Sequence, residues 1–385
     1  MSADLLAAIC NDLNLASVPS CSYLSSEEFI DQNSRFLRKS PQAISIFHTN
    51  IRSLNANHAK LKLLLTVLDN PFDVIIVTEV CSYSIDFYSN LFPNFNFLYS
   101  LSTTSLVGGV GMYISNSVSF VNHLMPTPSC RSVLVESLAI EIIKNNTHFL
   151  IAGLYRHPSP SISQFNSYME DLMLGFFNKF VGINCFLIGD TNINLLSYSK
   201  DKDTTGFVDI LLNYGFSPYT LIPTRITANS STLIDHIHWR QPFKSQTIDS
   251  GACLNGCLVT DISDHLANFI CIPINGKKPI KKDRPMLRIF SESNKVKFKN
   301  EFSSLNWSDL VYEVQDVNQS YNNFSSMLKA TFEKSFPLVK LSRSKAADKE
   351  WINDEVKKSC NLKSKYYKRW IFTKIPNDLA IYKLI

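Results

Sequence analysis

Between residues 43 and 273, short apolar runs alternate with longer stretches of helical periodicity. The apolar runs are rich in β-branched and aromatic residues, which predicts strands at 43–47, 73–79, 95–101, 109–114, 133–143, 149–155, 183–188, 233–239 and 266–272. Apolar residues three and four apart predict helices at 58–69, 162–179 and 204–214. This balance favours an α/β (α+β) fold, a four-layered sandwich of two packed mixed β-sheets flanked by helices.

The two ends of the chain have a different pattern. Residues 1–42 are polar and weakly periodic, so we expect a leader outside the core. Residues 274–300 are rich in lysine and predict a basic linker, and residues 301–385 predict a helical C-terminal extension. Near its end, Trp351 to Trp370 combines aromatic and basic residues. That combination suits either an amphipathic helix awaiting a partner or a nucleic-acid contact.

Composition indicates a globular protein. The chain has 385 residues, of which 45% are hydrophobic and 18% charged, and its 12 Gly and 16 Pro exclude a collagen-like chain. No run approaches the roughly 18 apolar residues of a membrane helix, so we expect no membrane partner. An early acid, Asp4, argues against a secretory signal, and the odd number of cysteines, 9, favours free thiols. We therefore expect an intracellular protein.

The net charge of +5 conceals an uneven distribution. Residues 1–275 hold 15 Lys+Arg against 21 Asp+Glu, whereas residues 276–385 hold 23 against 12. Such a change of net charge along the chain indicates a domain boundary. The basic part is a candidate for contact with a polyanion by counterion release. A solvated linker kept soluble by its lysines is the alternative.

Polar residues close several of the apolar runs. They are His48-Thr49-Asn50, Thr78-Glu79, Gly189-Asp190-Thr191-Asn192, Asp235-His236 and Ser263-Asp264-His265. A carboxylate at the end of a buried strand must be solvated, paired or bound to a cation. If these carboxylates converge, their oxygens suit Mg²⁺ or Mn²⁺, and an Asp-His pair adds an acid/base group. Together they predict metal-assisted phosphodiester hydrolysis, although each motif alone is as typical of an ordinary turn or strand end.

In their order along the chain, these motifs resemble the endonuclease domain of non-LTR (LINE-like, jockey-type) retrotransposons. That domain is a branch of the endonuclease/exonuclease/phosphatase superfamily, related to apurinic/apyrimidinic endonucleases and deoxyribonuclease I. The matches are Asn50-Ile51-Arg52-Ser53-Leu54, Phe72 to Glu79, Gly108 to Tyr113, Tyr155-Arg156-His157-Pro158, Gly189 to Asn192, Pro223-Thr224-Arg225, Ser231 to His236 and Ser263-Asp264-His265. They place the endonuclease/exonuclease/phosphatase domain at residues 43–273.

The resemblance implies a role for each motif residue. Glu79 would be the principal Mg²⁺ ligand, with Asn50 beside it and Asp264 near the cation. Asp190, assisted by Asn192, would activate the attacking water. His265, held by Asp235, would act on the scissile phosphate, and Tyr155 would donate to a phosphate oxygen. The DNA contacts would come from Arg156, Thr224, Arg225, Ser231 and Ser263.

The implied activity is nicking of target DNA to leave a 3′-hydroxyl for target-primed reverse transcription, with Mg²⁺ or Mn²⁺ as cofactor. DNA would be the main partner, the site of action would be the nucleus, and the basic C-terminal segment could hold element RNA or a separate polymerase. Residues 301–372 resemble the connector before a reverse transcriptase, but no adjacent Asp-Asp pair of a polymerase is present. The alternatives are an abasic-site repair endonuclease, a phosphatase of the same superfamily, or a catalytically silent nucleic-acid-binding remnant.

Two residues depart from the motifs. Thr191 stands where the family usually has Phe between Asp and Asn, which could loosen that turn. Arg52 stands where the repair enzymes have a second acidic metal ligand. The second departure favours the retroelement branch and argues against a tight two-metal site.

Overall fold

A computed structural model describes residues 20–81, 85–102, 107–129, 133–159, 161–242, 252–274, 286–340 and 354–385. Its contacts divide the chain into two units. The first combines residues up to 279 with residues 350–385, and the second is residues 280–349. No helix among the described residues is long and apolar enough to cross a membrane.

The first sheet has seven strands, numbered in chain order, and is mixed. Its strands in spatial order are β1 (Ser22–Leu24), β14 (Leu254–Leu258), β15 (Ala267–Pro273), β2 (Ala43–Asn50), β3 (Val74–Thr78), β5 (Val110–Ser115) and β4 (Phe95–Ser100). The pairs β1–β14 and β2–β3 are parallel, and the others are antiparallel. Strand β2 lies at the centre of this sheet, so β2 has a neighbouring strand on each side.

The second sheet has six strands and is also mixed. In spatial order they are β10 (Ser217–Pro218), β13 (Asp235–Arg240), β9 (Asn184–Asp190), β8 (Thr147–Arg156), β7 (Val135–Lys144) and β6 (Ser119–His123). Strands β8 and β9 run parallel, whereas β13 runs antiparallel to β9. A separate hairpin pairs two short antiparallel strands of two residues each, β11 (Arg225–Ile226) and β12 (Ser231–Thr232).

The two sheets pack face to face, and helices cover their outer faces. The core between the sheets includes Ile46 and Val74 from the first and Ile151 and Ile188 from the second. The helices of the first unit are α1 (Ser26–Lys39), α2 (Leu54–Val67), α3 (Ile85–Ser89), α4 (Ile162–Gly175), α5 (Lys202–Asn213), α8 (Asp354–Thr373) and α9 (Pro376–Leu384). Helices α1 and α2 pack on the first sheet, and α4 and α5 on the second. The predicted four-layered sandwich is confirmed.

Residues 20–42 were predicted to lie outside the core, and that prediction is wrong. Strand β1 pairs in parallel with β14, and α1 buries Phe29 and Phe36 against the first sheet. The helix begins at a capping box in which Ser25 and Glu28 exchange hydrogen bonds. Its apolar positions are few among charged ones, so the polarity of the segment conceals a buried face. Residues 1–19 lie outside the described residues.

The C-terminal helices α8 and α9 also belong to the sandwich unit, beyond the predicted boundary at residue 273. One apolar cluster joins α8 to β1, the β11–β12 hairpin and the segment before β15. It contains Tyr23, Ile226, Cys257, Val259, Leu266, Tyr367, Trp370 and Ile371. Tyr367 and Trp370 of the predicted connector therefore pack against the sandwich core.

The second unit is a small helical structure described over residues 286–340. A hairpin of β16 (Met286–Arg288) and β17 (Leu338–Lys340) accompanies α6 (Glu292–Ser303), a π-helical turn at Ser308–Tyr312 and α7 (Val317–Ser335). Its aromatic side chains contact one another, as in the pairs Phe302–Trp307 and Phe298–Phe336. Part of the predicted basic linker is thus regular structure, and the lysine run at 277–282 lies outside the described residues.

Candidate active site

The ends of five strands meet at one edge of the sandwich. Asn50 ends β2, Glu79 follows β3, Asp190 ends β9 and Asp235 begins β13. The Cα of Asp235 pairs with that of Asp190, since β13 runs antiparallel to β9. His265 lies two residues before β15, which neighbours β2. The two sheets therefore both contribute carboxylates to one cleft.

Asn50 connects the carboxylates of the two sheets. Its Nδ2 donates to Glu79 Oε1 at 2.9 Å and to Asp190 Oδ2 at 2.8 Å. Its Oδ1 accepts from the backbone N–H of Arg52 at 3.0 Å, which fixes the orientation of the amide. The hydroxyl of Tyr155 donates to Glu79 Oε1 at 3.2 Å. Four residues predicted for the site are thus joined by direct hydrogen bonds.

Glu79 occupies a strained turn. Its φ is 53°, in the left-handed region that residues with a side chain rarely adopt. Its carbonyl accepts from the N–H of Ser53 at 2.8 Å, and the following Cys81 N–H donates to the carbonyl of Gly108 at 3.0 Å. Such strain persists only where the surroundings hold it, so the position of the Glu79 carboxylate is set by its neighbours.

The turn after β9 is well ordered in spite of Thr191. The N–H of Asn192 donates to Asp190 Oδ1 at 2.9 Å, and its side-chain Nδ2 donates to the carbonyl of Arg156 at 2.7 Å. The hydroxyl of Thr191 lies 3.1 Å from His236 Nδ1, a contact that Phe could not make. The turn that aims Asp190 and Asn192 is therefore intact.

A histidine–aspartate pair lies beside Asp190. His265 Nδ1 is 2.8 Å from Asp235 Oδ2 and 4.0 Å from Asp190 Oδ2. Burial alone would lower the pKa of the His265 imidazole, but the charge and hydrogen bond of Asp235 outweigh it and raise that pKa to about 9. Burial, together with the nearby charge of Asp235, raises the pKa of the Asp190 carboxyl above its ordinary value. The His265 imidazole and the neighbouring Asp190 carboxyl therefore both hold a proton more readily than the free groups do.

Buried polar residues to which the sequence analysis gave no role lie behind this pair. Asn268 Nδ2 donates to the carbonyl of Asp235 at 3.2 Å, and its Oδ1 lies 2.9 Å from His48 Nδ1. His48 Nε2 in turn contacts the hydroxyl of Thr78 at 3.2 Å. The available signal was the placement of His48 and Asn268 inside otherwise apolar strands, where a buried polar side chain requires a partner.

Two of the predicted DNA contacts are buried and bonded within the protein. Arg156 is 1% exposed, and its Nη1 donates to the carbonyl of Thr191 at 3.0 Å, so it braces the Asp190 turn from inside the protein. Thr224 is fully buried, and its hydroxyl donates to Asp235 Oδ2 at 2.6 Å. Both side chains are buried, so in this structure they hold other residues of the site in place.

The other predicted DNA contacts lie at the surface of the cleft. Ser231 is exposed on β12, and Arg225 is half-buried on β11. Ser263 is half-buried, and its hydroxyl donates to the carbonyl of Asn50 at 2.6 Å while accepting from the N–H of His265. Contact of these three residues with DNA stays a prediction.

Asp264 is occupied by two arginines. Its Oδ1 accepts from Arg52 Nη1 and its Oδ2 from Arg225 Nε, both at 2.8 Å. In the described part of the chain, the acidic and histidine side chains close enough to share a metal ion are Asp190, Asp235 and His265, whose ligand atoms lie within 4.8 Å of one another. Neither Asp264 nor Glu79 belongs to this group, so the metal-ligand roles expected for both stay predictions.

The donor set of the cleft fits a hard divalent cation. The carboxylates of Glu79 and Asp190 share one amide, and Asp235 Oδ1 is buried without a hydrogen-bond partner among the described residues. Three carboxyl groups lie close together here, and a bound cation would offset the repulsion between their charged forms. Oxygen ligands suit Mg²⁺ or Mn²⁺, and no cysteine takes part as zinc would favour.

The chain matches no protein-family profile and no curated protein. Its fold is similar to those of solved structures at 12–13% identity. The endonuclease domain of TRAS1, a telomere-specific non-LTR retrotransposon, gives a TM-score of 0.46 over 60% of this chain and 98% of that one, at 13% identity. At 12% identity, the AP endonuclease LMAP from Leishmania major gives 0.47 over 71% and 99%.

A third solved structure is TDP2 of D. rerio complexed with a single-strand DNA product, at 12% identity and a TM-score of 0.47 over 60% and 98%. These proteins belong to the endonuclease/exonuclease/phosphatase superfamily, the one that the ordered motifs resemble. At these identities the likeness concerns the fold.

Proposed function

We propose that this protein is a metal-dependent endonuclease that hydrolyses one phosphodiester of DNA and leaves a 3′-hydroxyl. The observation that carries the proposal is the position of Asp190. Its Oδ2 accepts from Asn50, which also binds Glu79, and lies 4.0 Å from His265 Nδ1. A water-activating carboxylate, a cation-binding carboxylate and a proton donor are thereby held in one cleft.

Glu79 would hold the cation, and Asn50 beside it orients the carboxylates of Glu79 and Asp190 through its amide N–H groups. A bound Mg²⁺ or Mn²⁺ supplies charge stabilisation to a phosphate oxygen as negative charge develops on it. Tyr155 donates its single hydroxyl proton to Glu79 Oε1 and so orients this carboxylate. Donation to a phosphate oxygen, as the motif implies, would require this proton to turn away from Glu79. Burial and the neighbouring charges of Glu79 and Asp190 raise the pKa of Tyr155, which keeps its hydroxyl a neutral donor.

Asp190 would accept the proton of the attacking water. Its Oδ1 is fixed by the N–H of Asn192, and its raised pKa makes it a stronger base than an ordinary carboxylate. His265 would donate a hydrogen bond to the scissile phosphate through Nε2, because Nδ1 is engaged by Asp235. The Asp235 partner keeps the imidazole charged and fixes its orientation, which is the standard use of such a pair.

We also propose the biological setting implied by the motifs, namely target-primed reverse transcription by a non-LTR element, acting in the nucleus. Arg52 in place of a second acidic ligand supports this branch over abasic-site repair. The basic residues after 276 support contact with element RNA or a polymerase.

The test is conversion of supercoiled plasmid to open circles in the presence of Mg²⁺. Asp190→Asn and His265→Gln should each lower the rate about 10²- to 10⁴-fold. His148→Gln is the matched control, since His148 also pairs with a carboxylate, that of Glu141, but is half-exposed and lies outside the site. Folded wild-type protein that leaves the plasmid intact at every Mg²⁺ and Mn²⁺ concentration would overturn the proposal.

Two further substrates separate the alternatives within the superfamily. A duplex with one abasic site should be cut at a rate similar to intact DNA, and a small phosphomonoester should release no phosphate. Much faster cleavage at the abasic site would indicate a repair enzyme, and phosphate release would indicate a phosphatase.

A further inference from the structure

Two guanidinium groups share one carboxylate at the entrance of the cleft. Arg52 Nη1 and Arg225 Nε each lie 2.8 Å from a different oxygen of Asp264. The side chains of Arg52, Arg225 and Asp264 are 52%, 40% and 29% exposed. The group therefore carries a net charge of +1 and faces solvent rather than the core.

Both arginines adjoin residues of the site through their backbones. The N–H of Arg52 donates to Asn50 Oδ1, and its φ of 47° turns the chain sharply away from β2. Arg225 forms an isolated antiparallel bridge with His265. One guanidinium thus extends from the cation-binding side of the cleft and the other from the histidine side.

The pair is held on fixed elements. Ile226, next to Arg225, is buried in the cluster with Trp370 and Ile371 of α8. On the other side, the hydroxyl of Ser263 ties the segment before Asp264 to the carbonyl of Asn50 at 2.6 Å. A binding group on such a support loses little freedom when a ligand arrives.

Each arginine keeps donors for a ligand. Asp264 engages one nitrogen of each guanidinium, and among the described residues no hydrogen bond is found to the remaining nitrogens. An arginine presents five N–H donors in a planar fork that matches the oxygens of a phosphate. A metal ion, in contrast, would be repelled by two guanidiniums and would have to displace them from Asp264.

We propose that Arg52 and Arg225 form a clamp for a backbone phosphate of DNA next to the scissile one, and that Asp264 orients the clamp rather than ligating the cation. The proposal rests on the proposed function in that the bound ligand is nucleic acid. It explains the departure at Arg52, because a guanidinium there replaces a second metal ligand with a phosphate-binding group.

The first experiment measures binding without catalysis. Fluorescence anisotropy of a labelled DNA duplex with the full chain in EDTA gives the dissociation constant over a range of salt concentrations. Arg52→Gln and Arg225→Gln should each weaken binding 5- to 20-fold, which corresponds to about 1–2 kcal/mol, and lower the salt slope by about 1. Arg35→Gln is the matched control, because Arg35 forms an Asp31 pair on the outer helix α1 and should change neither quantity.

The second experiment tests the role of the Asp264 carboxylate. Isothermal titration calorimetry measures the dissociation constant of Mg²⁺ for each variant. Asp264→Asn should keep the Mg²⁺ dissociation constant within about twofold of the wild type, whereas Glu79→Gln should raise it more than tenfold. In nicking assays Asp264→Asn should raise KM for DNA more than it lowers kcat. Loss of Mg²⁺ binding in Asp264→Asn, or unchanged DNA affinity and salt slope in both arginine variants, would overturn the clamp.

The outcomes separate this proposal from the proposed nuclease. If the wild type nicks DNA but the arginine variants bind it like the wild type, the clamp alone is wrong. If the wild type neither binds Mg²⁺ nor nicks DNA, yet both arginine variants lose DNA affinity, the clamp stands and the nuclease is wrong.

Discussion

The hydroxyl of Thr224 donates a 2.6 Å hydrogen bond to Asp235 Oδ2, the same oxygen that His265 Nδ1 contacts. Since Thr224 also accepts from the backbone N–H of Asp235, it holds both the carboxylate and the start of β13. The motif residue expected to touch DNA is therefore part of the support of the histidine.

Replacing Thr224 tests this support. Thr224→Val should lower kcat for nicking about tenfold and leave the DNA dissociation constant unchanged, because the lost hydrogen bond orients Asp235 and makes no contact with DNA. Thr224→Ser, which keeps the hydroxyl, should restore most of the rate. A loss of DNA affinity in Thr224→Val without a change in kcat would instead restore the DNA-contact role.

Replacing Arg156 should affect stability rather than DNA binding. Arg156→Met removes the donor to the carbonyl of Thr191 and should lower the free energy of unfolding by about 1–3 kcal/mol, as urea denaturation would show. The salt slope of DNA binding should stay the same, in contrast to that of Arg225→Gln. A reduced slope with unchanged stability would show that Arg156 reaches a phosphate after all.

Asn50→Asp should make folding depend on metal. A third carboxylate would replace the amide that now donates to Glu79 and Asp190, and like charges at such distances repel strongly. Differential scanning fluorimetry should show a lower Tm than the wild type in EDTA and a larger upward shift on adding Mg²⁺. An equal shift in both proteins would mean that the cation is not bound near Asn50.

The metal-free protein should lose stability as the pH rises. Because the folded-state pKa of His265 is about 9, above the ordinary value of 6.5, its stabilising contribution is complete below pH 6.5 and is lost as the pH passes 9. Over that window the free energy of unfolding in EDTA should fall by about 1 kcal/mol per pH unit. His265→Gln should remove this fall, and His148→Gln should not.

The helix α8 should be necessary for the stability of the sandwich. Trp370 is 4% exposed in the cluster with Tyr23 and Ile226, so Trp370→Ala should cost about 3–5 kcal/mol in urea denaturation. Leu384→Ala, at a residue that is 85% exposed on α9, is the control and should cost under about 0.5 kcal/mol. Equal effects of the two substitutions would show that α8 does not complete the core.

The sequence predicted the parts of the site that depend on strand ends. Asn50, Glu79, Asp190 and Asp235 each follow or begin an apolar run, and adjacent strands bring such residues to one edge. This reasoning works because the alternation of apolar and polar residues is local. The same apolar runs also predicted the layers of the fold, because they form the strands of the two sheets.

What sequence could not predict depends on distant pairing. Asp264 binds Arg52, 212 residues away in the chain, and Arg225, 39 residues away, and neither pairing has a local signal in the sequence. The burial of Arg156 follows from the turn at Thr191, which lies 35 residues further along the chain. A charged residue in a motif is predicted to lie at the surface unless its buried partner is already known.

The return of α8 to the sandwich has a consequence for synthesis on the ribosome. The surface around Tyr23, Ile226 and Leu266 is made before residue 274, yet the residues that cover it are translated about 100 positions later, after the whole second unit. At about 5–20 residues per second, this interval lasts roughly 5–20 s. During that time the nascent chain exposes an apolar surface and carries an unfinished sandwich, so the rate of elongation sets when the core can be completed.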